Sequence, residues 1–393
     1  MNRPTIARRV AELRPTAMNA ILAEARALQE RGQEVISLAR GEPDLPTPRH
    51  IVDAAVAAVR AGRTGYPQNQ GEPGLRAAVA AKLRRQGLDY SPTDEILITT
   101  GATLGIYAAL AAVLDPGDEV LVPDPIYDAY QSPIALVGGV SVAVPAEIRE
   151  GRFVLSAAKA ARDCSARTRA LLINTPWNPT GTVLRRNELE ELAALAEERN
   201  IVLISDEIYE NIVYDDNHHV SPAASSRAAR ERTVIVNSFS KTYAMTGWRL
   251  GYCAGPASLI AAMYLILQQS SRGPATFVQD AGVAALDKPQ DCVAAMQIEY
   301  AKRRQQVSAA LAGLPGVNVL LPEGGFFAML DVRALGLASD EIRRRLLHEQ
   351  GVVVVHGSAY GPAGEGTLRV SFASGGKNLS EGLEHLRAGL AML

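Results

Sequence analysis

Lysine is scarce in this chain. It occurs six times in 393 residues, at positions 82, 159, 241, 288, 302 and 377, so 34 of the 40 basic side chains are arginine. Arginine stays protonated in proteins, and only lysine can offer a neutral, nucleophilic amine near neutral pH. Lys82, Lys159, Lys288, Lys302 and Lys377 fall on expected helices or their ends, where a solvated cation is the ordinary role. Cysteine is scarcer still. Cys164, Cys253 and Cys292 lie far apart with no CxxC pair, which argues against a zinc site or disulfide framework and predicts isolated buried thiols in a reducing cytoplasm. No excess of one charge is present: the formal net charge is −2, which argues against a basic nucleic-acid-binding face. The longest uncharged stretch, Leu250 to Ser271, is broken by Gly251, Gly255 and Pro256. Its apolar part, Ala257 to Leu267, is too short to cross a bilayer and reads as a buried helix. Residues 1–20 carry Arg3, Arg8, Arg9 and Arg14 without an apolar stretch of signal-peptide length, so export by that route is not expected. Neither GxGxxG after a strand nor GxxxxGK[ST] occurs, which argues against dinucleotide or nucleoside-triphosphate use.

What is present is an alternation of short β-branched runs with helical stretches. Strands are expected at Ile96–Thr99, Glu119–Val122, Ser141–Val144, Ala170–Ile173, Ile201–Ile204, Val234–Val236 and Leu250–Cys253, with helices such as Ala102–Leu114 and Asn187–Arg199 between them. That is the pattern of an α/β domain with a mainly parallel sheet covered on both faces. After about residue 290 it changes to a long helix (Gln290–Leu311), short strands at Val317–Leu321, Phe326–Leu330, Val352–Val355 and Leu368–Phe372, a charged helix at Ser339–Gln350 and a final helix. This predicts a smaller α+β unit, joined by an N-terminal segment whose helix spans about Met18–Arg31. The expected division is 1–45 for that segment, 46–290 for the large domain and 291–393 for the small one.

In open α/β sheets, ligands bind beyond the carboxyl ends of the strands. Those ends carry a coherent set. The run from Ile201 delivers Asp206, a carboxylate at the edge of a desolvated core. The run from Val234 delivers Ser238, Ser240 and Lys241, followed by Arg249: hydroxyls and a guanidinium suited to a phosphate ester, and an imine-forming amine. Gly101, Ala102 and Thr103 link a strand to a helix start, where backbone N–H groups can meet an anion. Asn178 sits in a turn after another strand, and Tyr127 offers an aromatic face for a flat heterocycle. Each of these residues alone fits a turn, a cap or core packing; the set describes pyridoxal 5′-phosphate (PLP), whose ring nitrogen needs a carboxylate beside it. His218 and His219, beside Asp215 and Asp216, are expected in a solvated loop rather than on a metal, and no metal site is expected elsewhere.

The stretch Ser238 to Tyr252 resembles the lysine signature of class I/II PLP-dependent aminotransferases, the aspartate aminotransferase superfamily of PLP fold type I. Further matches follow in that family's order: Gly41–Pro48, Tyr66 to Arg76, Thr100–Thr103, Asn178–Gly181, Asp206–Tyr209 and Leu368–Phe372, covering the chain from about residue 14 to its end. The resemblance implies a large domain with a mainly parallel seven-stranded sheet plus a smaller α+β domain, and a cytoplasmic enzyme that moves an amino group between an L-amino acid and a 2-oxo acid. Lys241 would form the internal aldimine and shuttle the proton between the substrate α-carbon and C4′. Asp206 would pair with the pyridine nitrogen, Asn178 and Tyr209 with the ring's 3-oxygen, and Tyr127 would stack on the ring. Gly101, Ala102, Ser238 and Arg249 would hold the phosphate, with Thr103 and Ser240 in reach, and Tyr66 would reach the phosphate of a neighbouring subunit, implying a homodimer. Arg369 would grip the substrate α-carboxylate, with Gly41 and Asn178 lining the same pocket. Departures from the commoner pattern are Tyr127 in place of Trp or Phe, His356 where proline is frequent, and Arg272 where a small or amide residue is usual. Arg40 and Arg272 are candidates for a substrate's second carboxylate. The same motifs serve PLP-dependent β-elimination, which stays open here as the alternative. A PLP-sensing DNA-binding regulator does not fit the forty residues before Gly41, and neither nucleic acid nor a membrane is expected as a partner. The preferred amino acid is not legible in these motifs.

Overall fold

The computed structural model describes residues 6–11, 13 and 15–393, so Arg3 and Arg14 lie outside the described residues. All seven expected strands form one sheet: β1 (Ile96–Thr99), β2 (Glu119–Asp124), β3 (Val140–Pro145), β4 (Thr168–Asn174), β5 (Val202–Asp206), β6 (Thr233–Ser238) and β7 (Gly251–Ala254). Their order is β1-β7-β6-β5-β4-β2-β3, parallel except for β7, which runs against both its neighbours. Helices cover both faces, so β1, β2 and β6 are buried at every position and each carries an apolar run along its middle, with polar residues at the strand ends. The edge strand β3 has three of its six residues exposed and one buried. The register brings Asn174 beside Asp206, and Gly251 beside both Ser238 and Thr99, so the functional ends of the strands share one rim.

A second sheet, wholly antiparallel, comprises β8 (Asn318–Leu320), β9 (Phe327–Asp331), β10 (Val355–His356) and β11 (Thr367–Ser371) in the order β8-β9-β11-β10. The single strand expected at Val352–Val355 is divided. Val352 and Val353 pair in parallel with Ile36 and Ser37, and only Val355 and His356 join the second sheet. The N-terminal chain is thereby stitched to the C-terminal third. The helix Ala17–Glu30 adds to this: Thr16 caps it by accepting the Asn19 N–H, and Ile21, Ala25 and Leu28, spaced four and three apart, bury one face against Leu347, Val353 and Tyr360.

Several expectations need correction. The helix Ala257–Ser270 is not buried all round: Ile260, Met263 and Leu267 face the core while Leu265 is 61% exposed, because the helix lies on the outer layer. Cys253 is buried, but Cys164 and Cys292 are only half-buried. Lys82 is not a solvated cation. Its Nζ lies 2.5 Å from the buried Glu210 carboxylate and donates to the Tyr252 hydroxyl at 2.9 Å. His219 is not solvated either, since its imidazole is buried 3.0 Å from Glu207. Glu207, Glu210 and His219 place potential ligand atoms within 4.8 Å of one another. Glu207 already accepts from Ser205 and Ser221, and Glu210 from Lys82 and Gln86, so Lys82 places a positive charge beside Glu210. No described helix is long and apolar enough to cross a membrane.

Candidate active site

The carboxyl ends of β1, β4, β5 and β6 open on a cavity of about 500 Å³, closed from the other side by residues around 16–19 and 40–42 and by Tyr360 and Arg369. Its floor is built for an anion. Gly101 adopts φ +78°, and a Cβ there would stand 2.6 Å from the Arg249 guanidinium. Ala102 opens the helix Ala102–Val113, whose first N–H groups have no partner within the helix. Arg249, itself left-handed at φ 56°, donates Nη1 to the Thr246 carbonyl at 3.0 Å and brings Nη2 against Gly101. The Ser238 hydroxyl bonds Ser240 Oγ at 2.8 Å, and both serines, with Thr103, line the cavity.

Above this floor stands Asp206 at the end of β5, only 2% exposed. One carboxylate oxygen accepts the Ile208 N–H at 3.1 Å and the other accepts the Tyr130 hydroxyl. Burial pushes its pKa up to about 6, against the pull of those two hydrogen bonds. Tyr127 lines the same space and meets the ring of Tyr130 edge-on at 5.3 Å. Tyr209 is buried, wedged edge-on against Phe326 and Phe327 at 5.4 and 6.1 Å.

Lys241 projects from the short helix Phe239–Thr242, which Ser238 caps. Its Nζ donates to the Gly41 carbonyl at 2.7 Å. Burial lowers its pKa to about 8; Arg249 and Arg369 act in the same sense, while Glu42 and Asp206 oppose. A substantial neutral fraction is therefore available at mildly alkaline pH, which is what a nucleophilic amine requires. Arg369, on β11, is 2% exposed and lies over the rings of Phe327 and Tyr360 at 4.1 and 4.9 Å. Nη1 donates to Asn178 Oδ1 at 2.9 Å and Nη2 to the Ala39 carbonyl at 2.7 Å; Nε is buried with no partner among the described residues. A buried cation with an idle donor is a ready acceptor site for a carboxylate.

The structure thus gathers Gly41, Gly101, Ala102, Thr103, Tyr127, Asn178, Asp206, Tyr209, Ser238, Ser240, Lys241, Arg249 and Arg369 around one cavity. Arg40 lines it as well. Tyr66 does not: it is 86% exposed, with the Arg272 guanidinium 5.1 Å over its ring, and neither residue touches this chain's cavity. His356 also lies elsewhere, bonded to Ser358 at 2.8 Å and 3.7 Å from Asp340. Tyr130, Asp128, Asn174 and Tyr360 belong to the cavity but were not anticipated. Tyr130 carries one faint signal, its position three residues beyond Tyr127.

The family profile described as aminotransferase class I and II matches residues 33–386. The chain belongs to that family. An aspartate aminotransferase of Bacillus sp. strain YM-2 is 37% identical over 387 residues, covering 97% of this chain and 98% of the relative. An arginine–pyruvate transaminase of Pseudomonas aeruginosa is 38% identical over 352 residues, covering 90% and 89%. Among solved structures, the aromatic aminotransferase of Pyrococcus horikoshii superposes with a TM-score of 0.88 at 39% identity, covering 96% of this chain and 99% of that one. The protein is an aminotransferase of PLP fold type I, and the β-elimination alternative finds no support among these relatives. The family is PLP-dependent in general and its members act on amino acids and 2-oxo acids.

Proposed function

We propose that this aminotransferase holds PLP in the cavity described above and exchanges amino groups between an L-amino acid and a 2-oxo acid there. The observation that carries the reading is the opening of Lys241, Asp206 and Arg369 onto one space, with Arg369 Nε left without a hydrogen-bond partner among the described residues. The residues fit the cofactor. The hollow beside Gly101, which a Cβ would fill, and the free helix N–H groups suit its phosphate, and Asp206 suits a ring nitrogen. When bound, PLP supplies an electrophilic carbonyl and a ring that withdraws electrons from the substrate α-carbon.

The chain's own residues supply the rest. Lys241 Nζ, neutral in part near pH 8, would supply the amine that holds the cofactor's carbonyl carbon and, once released, the base that takes the proton from the α-carbon and returns it. Asp206 keeps a cationic ring nitrogen paired. Asn178 and Tyr209 orient the ring oxygen, and Tyr127 covers the ring face. Arg369 fixes the substrate α-carboxylate, so the bond to be broken is presented in one orientation. Residues 1–45 and 291–393 act together as the unit that closes over bound substrate and excludes water, in keeping with their shared strand pairing and the helix face buried between them.

A homodimer completes the site in this reading. Tyr66 is exposed at the surface, and Val52, Val56 and Val59 form an exposed apolar stripe, 37–46% accessible, on the helix Arg49–Arg60. Both suit contact with a second copy. Unpaired thiols suit a reducing compartment such as the cytoplasm.

The test is a panel of half-reactions. Holoenzyme is mixed with acidic, aromatic, basic, sulfur-containing and small L-amino acids while the cofactor's visible band is followed, and then with 2-oxo acids. Reversible conversion is expected for at least one pair, and it should disappear in Lys241→Ala. Release of ammonia and pyruvate without amino transfer would sink the reading.

A further inference from the structure

The side chain of Tyr130 crosses the rim of the large sheet. It lies in the single turn Asp128–Tyr130 that follows β2, whereas Asp206 ends β5, and β4 runs between them. The hydroxyl nevertheless reaches the Asp206 carboxylate, 76 residues away in sequence. Both residues are buried, at 3% and 2% exposure. Between them, Asn174 ends β4, and its side chain donates to the Asp206 carbonyl at 2.9 Å and accepts the Asn178 N–H at 2.7 Å.

Asp206 has two oxygens and two donors, the Tyr130 hydroxyl and the Ile208 N–H. Among the described residues Tyr130 is its one side-chain partner. The other titratable groups facing it are Glu207 on its own strand end, Lys241, Tyr127, Tyr209 and Cys253, and among the described residues none of these hydrogen-bonds to its carboxylate. Burial drives the Tyr130 hydroxyl far above its ordinary range, so it remains a donor at every working pH. A donor that cannot ionise, held against a buried carboxylate, favours the ionised form of that carboxylate and one rotamer of it.

We propose that Tyr130 is a positioning residue of this aminotransferase: its hydroxyl holds Asp206 ionised and aimed into the cavity, and thereby sets the protonation of the cofactor's ring nitrogen. The proposal rests on the assignment of Asp206 to that nitrogen. Tyr130 touches neither substrate nor cofactor in this role and acts through Asp206.

Tyr130→Phe removes one oxygen and leaves the ring packed on Tyr127. Three readouts test it: PLP dissociation measured by dialysis of the purified protein, the pH midpoint of the bound cofactor's visible absorbance, and steady-state kinetics. PLP binding is expected to weaken about ten-fold, the loss of one hydrogen bond to a charged group. The absorbance midpoint should rise by about one pH unit, as the ring nitrogen loses its paired proton. Turnover should fall while KM for the amino donor stays within about two-fold. Replacement of Tyr130 by para-aminophenylalanine, which keeps a donor at the same reach, should restore the midpoint. In an Asp206→Asn background the loss of the hydroxyl should have no further effect. Tyr90→Phe, which removes a buried hydroxyl without a partner, should leave all three readouts unchanged.

If Asp206→Asn shifts the midpoint and Tyr130→Phe does not, the proposal falls and the reading of the site stands. Should Asp206→Asn itself change neither affinity nor midpoint, the assignment of Asp206 fails and the proposal with it. Equal losses from Tyr130→Phe in both backgrounds would reduce the tyrosine to a packing role and overturn the proposal as well.

Discussion

Replacing Arg369 by lysine keeps the charge and removes the fork, so it isolates the geometric part of carboxylate recognition. In the folded chain the guanidinium divides its donors among Asn178 Oδ1 at 2.9 Å, the Ala39 carbonyl at 2.7 Å and an idle Nε. One ammonium cannot serve Asn178, Ala39 and two substrate oxygens together. At least one charge-assisted hydrogen bond is lost, worth about 1.5–3 kcal/mol, and a buried oxygen is left short of a donor. The combined loss in kcat/KM should be about 2–4 kcal/mol, or about 30- to 700-fold. Because the contact is made to bound substrate and transition state alike, most of it should appear in KM. The assay is a half-reaction series over amino-acid concentration, with PLP dissociation and thermal unfolding measured on the same preparation. Cofactor affinity should stay within about two-fold of wild type if Arg369 serves the substrate carboxylate as proposed. A parallel fall in PLP affinity would place Arg369 on the cofactor and refute the argument, as would a kcat/KM loss below about three-fold.

Three further expectations concern other parts of the site and its support. Asp206 binds protons more tightly in the folded state than in the unfolded chain, its pKa being raised from an ordinary 3.8 to about 6. Stability of the cofactor-free protein should therefore fall as pH rises through that window and stay lower above it, by up to ~3 kcal/mol. Asp206→Asn should accordingly be the more stable apo-protein at pH 7, with the gap closing near pH 4; equal melting profiles at both pH values would refute this. Gly101→Ala forces a side chain into φ +78° and 2.6 Å from Arg249. It should weaken PLP at least about ten-fold, the local strain alone being ~1–2 kcal/mol, while leaving unphosphorylated pyridoxal unaffected; equal losses for both ligands would contradict the anion cup. Lys82→Met strands the buried Glu210 and should cost about 3–5 kcal/mol in denaturant unfolding, much of it recovered by adding Glu210→Gln. A neutral result for the single variant would show that the pair is not needed to hold that carboxylate.

The large sheet was legible because its strands are covered on both faces, which leaves a plain apolar run at β1, β4, β5 and β6. The phosphate and lysine end of the site was legible for a different reason: Ser238, Ser240, Lys241 and Arg249 fall within twelve consecutive positions and carry their own chemistry. What stayed hidden depends on pairing across the fold. Lys82 reads as any helical lysine until its helix, Pro73–Arg85, is docked with that face against Glu210, 128 residues on. His219 looks solvated in sequence because its partner Glu207 is supplied by another turn of the chain. Val352–Val355 reads as one strand because nothing local records that its halves bond to different partners. Tyr130 was missed on the same grounds, since a tyrosine three residues past another predicts packing and not a bond to a distant carboxylate.

The three contacts that close the cavity join residues far apart in the chain: 200 positions for Lys241 and Gly41, 191 for Arg369 and Asn178, and 330 for Arg369 and Ala39. No contiguous fragment of moderate length holds both sides of the site. Catalysis is therefore an all-or-none report on complete folding: during refolding, activity should return with the last long-range contacts and not with the early recovery of helix, and a single nick that releases the first forty residues should silence a chain whose central sheet is still intact.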